Sequence, residues 1–349
     1  MKKIISVLLV ILMMAMLFSS CGKPSPEGDI SGYSQNVSII KREVPAFTVD
    51  GDFHVLQISD THIINGTTQN DQKTLENVRD RIENLKPDLV VVSGDMVEGH
   101  NKNSKFNKKT ALETMGKLFE ELNQYWAYVP GNNDGEFMGS TADVVAFLSQ
   151  YEHCILSNEE NLTGAVHYSV DLKNSEGKTV HSLIFLDSLA RDDNNKYDYM
   201  KADQVEWAKQ TAESKKAENP DIFVSFFFHM NTPNFALSGK NGTAYAGSFN
   251  YNPVPNDFYE GIDGNKAFDE MTADLGNVGL VSIGHIHPKA NYCSFYNGAY
   301  YHVTRAAGFA VTKNPGCTLI TIHTDIENTK DMYDFLEFSF QKVKVEKIK

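Results

Sequence analysis

Short apolar runs, each ended by a small or polar residue, alternate along this chain with stretches whose apolar residues recur at helical spacing. Phe53 to Ser59 predicts a strand that stops at Asp60. From Asp71 to Leu85 the apolar positions Leu75, Val78, Ile82 and Leu85 fall three or four apart, the period of a one-sided helix, and Pro87 closes it. Asp88 to Ser93 is nearly all apolar, as expected of a strand buried on both faces. Thr110–Leu122 predicts a helix, and Trp126–Val129 a short strand stopped by Pro130-Gly131. Ser140–Tyr151 predicts a helix with Ser140 or Thr141 as its cap. Val166–Leu172 and Val180–Leu186 predict a strand pair, Ala202–Lys216 and Ala267–Leu275 helices, and Asp221–Phe228 and Val278–Ile283 buried strands. Residues 231–264, rich in Asn, Gly, Pro and Tyr, read as one long loop. After Tyr292, runs at Tyr300–Val303, Thr318–Ile322 and Phe335–Val343 read as a β meander. Strands alternating with helices predict a layered α/β fold.

Five of these runs end in the same kind of residue. Asp60 and His62 follow the first strand, Asp95 follows Ser93-Gly94, and Asn132, Asn133 and Asp134 follow Pro130-Gly131. His229 ends Phe226-Phe227-Phe228, and His285 and His287 follow Gly284. The carboxyl ends of strands in open α/β sheets are where ligand sites form. Asp60 with His62, and His285 with His287, are two apart, so in extended chain each pair points to one side. Any one of these segments is common by chance; their recurrence in order is the signal. Imidazole with carboxylate suits Zn, Mn or Fe rather than Ca. Seven donors (Asp60, His62, Asp95, Asn132, His229, His285, His287) are too many for one tetrahedral ion but fit two ions that share a carboxylate. Such a pair clamps the attacking and leaving oxygens of a phosphoryl displacement and activates a water near neutral pH.

The formal charge of −13 argues against binding a nucleic-acid backbone. It leaves phosphorylated small molecules open as substrates, because two cations reverse the sign of the local potential. Four cysteines, Cys21, Cys154, Cys293 and Cys317, show no C-x-x-C spacing, so a cysteine zinc site is not expected. The last three permit one disulfide and a free thiol, or three buried thiols. Residues 1–21 run from Lys2 and Lys3 through an apolar stretch to Ser19-Ser20-Cys21, the layout of a secretory signal too short to span a membrane. Leu17-Phe18-Ser19-Ser20-Cys21-Gly22 resembles a bacterial lipoprotein box, with Phe18 where Leu is preferred. That resemblance implies a lipid on Cys21 and an extracytoplasmic, membrane-anchored protein. Residues 22–45, rich in Gly, Pro, Ser and charge, read as a flexible tether, which leaves 46–349 as one folded domain.

The order D-x-H, G-D, G-N-x-D, a lone His and G-H-x-H, spread over about residues 53 to 310, resembles the calcineurin-like metallophosphoesterase superfamily. Gly284-His285-Ile286-His287-Pro288 followed by Arg305-Ala306-Ala307-Gly308 looks most like its purple-acid-phosphatase-related branch. The resemblance implies two packed β-sheets flanked by helices, a four-layer αββα sandwich. It implies that Asp60, His62 and His287 hold one metal, that Asn132, His229 and His285 hold the other, and that Asp95 bridges them. Two departures stand out. The family usually has His where this chain has Asn133, a residue that donates a hydrogen bond but no proton near pH 7. Asp134, Glu136 and His100 are candidates to replace it. Glu98 stands where purple acid phosphatases carry Tyr, so an iron–tyrosinate colour is not expected.

Lys289 and Arg305 are candidates for pairing with substrate phosphate, or for a solvated surface. Tyr245, Phe249, Tyr251 and Tyr259 would wall a cleft or form a satellite core under the long loop. His54, His153, His167, His181, His302 and His323 match no ligand pattern. The sequence has no G-x-S-x-G, so covalent acyl transfer is not supported. The expectation is a dinuclear metal phosphoesterase of undecided mono- or diester preference. The alternative is a binding or scaffold protein on the same fold.

Overall fold

The computed structural model describes residues 27–35, 41–99, 105–245, 265–287 and 292–340. Cys21, His100, Phe249, Tyr251, Tyr259 and Lys289 lie outside them, as do the signal and lipid-box readings.

Two sheets form the frame. One runs β14 (Tyr333–Ser339), β13 (Gly316–His323), β2 (Asp52–Ile58), β3 (Leu89–Ser93), β4 (Trp126–Val129), β5 (Cys154–Ile155). The other runs β1 (Phe47–Thr48), β6 (His167–Lys173), β7 (Thr179–Leu186), β8 (Phe223–Phe227), β10 (Val278–Ile283), β12 (Ala299–Val303), β11 (Tyr292–Tyr296), β9 (Thr243–Ala244). The central ladders β2–β3–β4 and β7–β8–β10–β12 are parallel, and the strands of both are almost wholly buried. Burial on both faces explains why β3 and β10 read as continuous apolar runs.

The sheets face each other. Tyr168 on β6 donates its hydroxyl to the Tyr128 carbonyl on β4 (2.9 Å), and accepts from the Tyr128 amide (3.0 Å). Helices α1 (Gln69–Leu85), α2 (Lys108–Glu121) and α3 (Thr141–Leu148) bury Val78, Ala111, Met115 and Val145 in the larger core. Helices α4 (Ala202–Glu218), α5 (Pro233–Asn241) and α6 (Asn265–Leu275) place Ala208, Phe235 and Phe268 against Val224, Phe226 and Val281 of the wider sheet. The expected αββα layering is therefore what the chain forms.

Local chemistry sets the helix ends. Thr68 caps α1 by accepting from the Asp71 amide (3.1 Å), and Ser140 with Asp143 forms a reciprocal capping box on α3. Asp143 also accepts from the Ser34 amide (2.8 Å) and hydroxyl (2.7 Å), and Ile30 is buried. Residues 27–35 of the segment read as a flexible tether are thus docked on the domain, which corrects that expectation. One buried Ile and two hydrogen bonds to a residue more than a hundred positions away leave no compositional trace.

The expected loop over 231–264 is also corrected at its start, since α5 occupies Pro233–Asn241. Proline is tolerated in a first helical turn because no partner is needed for its missing N–H. The cap comes from another helix: Asp269 on α6 accepts from the Asn234 amide (2.8 Å) and the Thr232 hydroxyl (2.6 Å). The C-terminal strands do not form one meander. The β11–β12 hairpin joins the wider sheet and β13–β14 the narrower one. Cys154, Cys293 and Cys317 are buried free thiols.

Candidate metal centre

The strand ends converge as the topology requires. β2, β3 and β4 in one sheet and β8 and β10 in the other run parallel within their sheets, and each delivers its polar residue at its carboxyl end. Asp60, His62, Asp95 and His287 can each place a ligand atom within 4.8 Å of the others, and so can Asp95, His229 and His285. Asp95 belongs to both groups. Asn132, 3% exposed, lies between Gly131 and Asn133, which both touch Asp95.

The distances fit shared ligation. Asp95 Oδ2 lies 3.4 Å from His62 Nε2 and 3.4 Å from His229 Nε2. Asp60 Oδ1 lies 4.0 Å from His62 Nε2 and 3.7 Å from His287 Nε2. Donors held at about 2.1 Å around one tetrahedral ion stand about 3.4 Å apart. Asp60 Oδ1, His62 Nε2, Asn132 Oδ1 and His229 Nε2 are all buried without a hydrogen-bond partner among the described residues. Buried polar atoms are seldom left so, and those of Asp60, His62 and His229 gather around Asp95, as ligands to an ion do. The residues present fit two cations.

Hydrogen bonds aim two of the donors. His229 Nδ1 bonds the Ser93 carbonyl at 2.8 Å, which puts the proton there and leaves Nε2 free to coordinate. Asp60 Oδ2 accepts from the His285 amide (3.0 Å), turning Oδ1 inward. Glu98 Oε2 lies 3.6 Å from His62 Nδ1, so the residue at the tyrosine position sits behind a ligand. The backbone bends sharply at these residues, and Asp60 (φ 53°), His62 (45°), Asp95 (50°) and His285 (66°) all adopt the left-handed region. That region is uncommon for non-glycine residues and is concentrated at functional sites. Gly131 is needed for close approach, because a Cβ there would collide with the Asp95 amide and carboxylate.

Electrostatics show how strongly the site wants positive charge. Burial pulls His229 down, but Asp95 outweighs it and raises the imidazole to about 9. Burial likewise opposes protonation of His62, and Asp95 and Glu98 reverse it, leaving it well above the usual range. Burial pushes Asp95 up, yet His229 and His62 hold it well below. Burial lowers His285 to about 3, helped by His229 and, more weakly, by His287 and Arg191. These protons stand in for cations and must leave when ions bind.

The acid–base candidates fare differently. Asn133 donates its amide N–H to Asp95 Oδ1 (2.8 Å) and its side-chain Nδ2 to Asp95 Oδ2 (2.5 Å). It therefore orients the shared carboxylate. Asp134 is wholly buried and accepts from the Tyr128 hydroxyl (2.9 Å) and the amides of Gly131 (2.8 Å) and Val97 (3.1 Å). It holds the ligand loop together, so its catalytic role is corrected to a structural one. Buried Lys108 props the same loop, donating to the Asp134 carbonyl (2.7 Å). Arg305 is likewise corrected: its guanidinium is committed to Glu337 and to the Ser339 hydroxyl on β14. Glu136 accepts from Arg191 Nε (3.0 Å). Tyr245 packs edge-on against Tyr300 and Phe335 of the larger core itself, not of a separate satellite. His167, His181 and His302 are packing residues bonded to Asn158, Ser225 and Ser282.

Sequence reading missed Ser93, Lys108, Arg191 and Tyr197. The run ending Leu186-Asp187-Ser188 carries the same strand-then-polar form as the other five and marks where Arg191 and Tyr197 follow.

A double-sheet α/β frame with two carboxylate-sharing ligand groups at its strand ends is the layout of a dimetal hydrolase. A model of the calcineurin-like phosphoesterase family matches residues 53–289, and the chain belongs to that family. It is 25% identical over 312 residues to a protein of Arabidopsis thaliana named probable inactive purple acid phosphatase 29, covering 75% of this chain and 76% of that one. It is 25% identical over 272 residues to phosphatase DCR2 of Saccharomyces cerevisiae, covering 70% of this chain and 46% of that one. Among solved structures it is similar to a dimetal phosphatase from Danio rerio, with TM-score 0.53 and 12% identity, over 84% of this chain and 100% of that one.

Proposed function

We propose that this protein hydrolyses phosphate esters outside the cytoplasm, using two transition-metal ions (Fe, Mn or Zn) and tethered to a membrane by a lipid on Cys21. The observation that carries the reading is the sharing of Asp95 between two ligand groups, in which Asp60, His62 and His229 each keep a buried donor atom without a hydrogen-bond partner among the described residues. When bound, the ions supply Lewis acidity and an activated water. The chain's own part is to hold Asp60, His62 and His287 on one side of Asp95 and Asn132, His229 and His285 on the other. Ser93 fixes the His229 tautomer and Asn133 fixes the shared carboxylate. Asn133, Asp134 and Glu136 are each bonded to other groups and not poised as proton donors, which favours substrates with good leaving groups.

A second reading, metal binding without turnover, is favoured by Asn133 and by the word "inactive" in the name of the plant relative. One experiment separates them. The purified protein is analysed for metal and assayed with para-nitrophenyl phosphate and bis-para-nitrophenyl phosphate. Two metals per chain with turnover supports the hydrolase; two metals without turnover of either supports the second reading. Location is tested separately, by whether Cys21→Ser moves the protein from the membrane to the soluble fraction.

A further inference from the structure

The segment between β7 and α4 borders the centre but holds none of its ligands. It is anchored at its start. Asp187 accepts from the amides of Ala165 (2.9 Å) and Leu189 (2.8 Å). Ser188 accepts from the amides of Met230 (2.9 Å) and of the ligand His229 (3.3 Å). A β-bridge between Arg191 and Tyr197 closes the rest into a small loop, and Asp192 accepts from the Asn194 and Lys196 amides inside it (both 2.9 Å).

One side chain of this loop touches a residue of the centre, and a second packs on the first. The Tyr197 ring meets the His285 ring edge to face, with centroids 5.3 Å apart. The Arg191 guanidinium lies 4.4 Å above the Tyr197 ring, and its Nε donates to Glu136, three residues beyond Asn133. Arg191 is thus pinned between the loop that carries Asn132 and a ring packed on His285, on the side of the second ligand group. Its side chain is 28% exposed, so it is both fixed and reachable. Glu136 balances the Arg191 charge, and Arg191 Nη1 donates to the Asn195 carbonyl (3.3 Å), so a substrate oxygen would share a guanidinium already held in place. Arginine's planar fork suits phosphate oxygens, and its stacking on an aromatic face removes much of the entropy cost of binding.

We propose that Arg191, oriented by Glu136 and Tyr197, binds a phosphate oxygen of the substrate and selects dianionic monoesters over diesters. This rests on the phosphoesterase reading of the centre. A monoester presents an additional charged oxygen for the guanidinium; a diester puts a second ester group there and carries one charge fewer.

The test uses manganese-loaded protein and inorganic phosphate as the probe, so that it does not depend on turnover. Arg191→Gln should weaken phosphate binding by calorimetry about tenfold or more, since a hydrogen bond to a charged group is removed. Metal content and melting temperature should stay at wild-type values. Glu136→Gln keeps an acceptor for Arg191 Nε and should retain phosphate affinity, which a mere latch between loops would not predict. Where the wild type turns over both esters, Arg191→Gln should raise KM for the monoester far more than for the diester. Wild-type phosphate affinity in Arg191→Gln, or equal losses in the two variants, would overturn the proposal. Absence of turnover in the wild type would instead count against the phosphoesterase reading, leaving the phosphate titration to decide on Arg191.

Discussion

Asn133 gives both of its nitrogens to Asp95, the backbone N–H to one carboxylate oxygen and the side-chain amide to the other. The second of those oxygens is the one equidistant from His62 and His229. The departure from the family pattern at this position therefore sits behind the shared ligand, with no proton to give. Asn133→Ala removes the side-chain donor and keeps the backbone one. Neighbours that orient ligands are typically worth about 10- to 100-fold in metal affinity, so a loss near the lower end of that range is expected in a metal titration. Undiminished affinity would show that the side chain orients nothing. Asn133→His restores a proton donor and should raise turnover of alkyl phosphates relative to para-nitrophenyl phosphate, whose leaving group needs little help.

Asp95 itself is the test of pairing. With both ligand groups relying on it, Asp95→Asn should lower the metal content below two ions per chain and abolish turnover. Ions that bind only the folded state stabilise it by mass action. Stripped wild-type protein should therefore gain melting temperature when metal is restored, and Asp95→Asn should gain much less. Full activity and an unchanged thermal response in that variant would contradict the site.

The residues of the centre come from strand ends of both sheets, and Gln57 joins the sheets beneath them. It is fully buried on β2, donates to Ser93 Oγ (2.9 Å) and the Ile283 carbonyl (3.3 Å), and accepts from Ser282 Oγ (2.5 Å) on β10. These contacts fall at the strand ends that deliver Asp60, Asp95 and His285. Gln57→Leu keeps the bulk but strips partners from several buried polar groups, at a cost of about 1–3 kcal/mol each. Chemical denaturation should show a loss of that order, with weaker metal binding in protein that still folds. A variant as stable as wild type would mean the network is filled by water.

The candidate ligand residues were legible because each follows an apolar run within one to four positions, so local pattern and chemistry coincide. Strand existence was legible for the same reason. What the pattern does not carry is direction. Nothing near Asp134 in sequence shows that Tyr128 and Val97 consume its carboxylate, nor that Glu337 claims Arg305. The cap of α5 by Asp269 spans some thirty-five residues, and the tie between Arg191 and Glu136 spans fifty-five. Such contacts exist only once the sheets have packed, so a polar residue at a strand end reads alike whether it binds a ligand or braces a loop.

Histidines outside the centre give the fold an acid limit. His181 and His302 are buried between the sheets, bonded to Ser225 (2.9 Å) and Ser282 (2.7 Å), and burial lowers each to about 3. Above the ordinary histidine value of about 6.5 both are neutral folded or unfolded, and their contribution to stability is complete. Below it the unfolded chain takes up protons that the folded chain refuses, so stability falls with pH down to about 3. Each fully coupled group steepens that fall by about 1.4 kcal/mol per pH unit. Asp187, raised by burial to about 6, and Asp269, raised to about 7, work the other way, since they gain protons on folding over the same range. The histidine part is isolated by difference. Unfolding free energies of metal-free wild type and the His181→Asn/His302→Asn double variant, measured from pH 8 to about pH 4, should differ least at low pH. The variant loses packing at every pH but lacks the acid penalty. Parallel curves would show that the two imidazoles accept protons in the folded state and that their burial sets no acid limit.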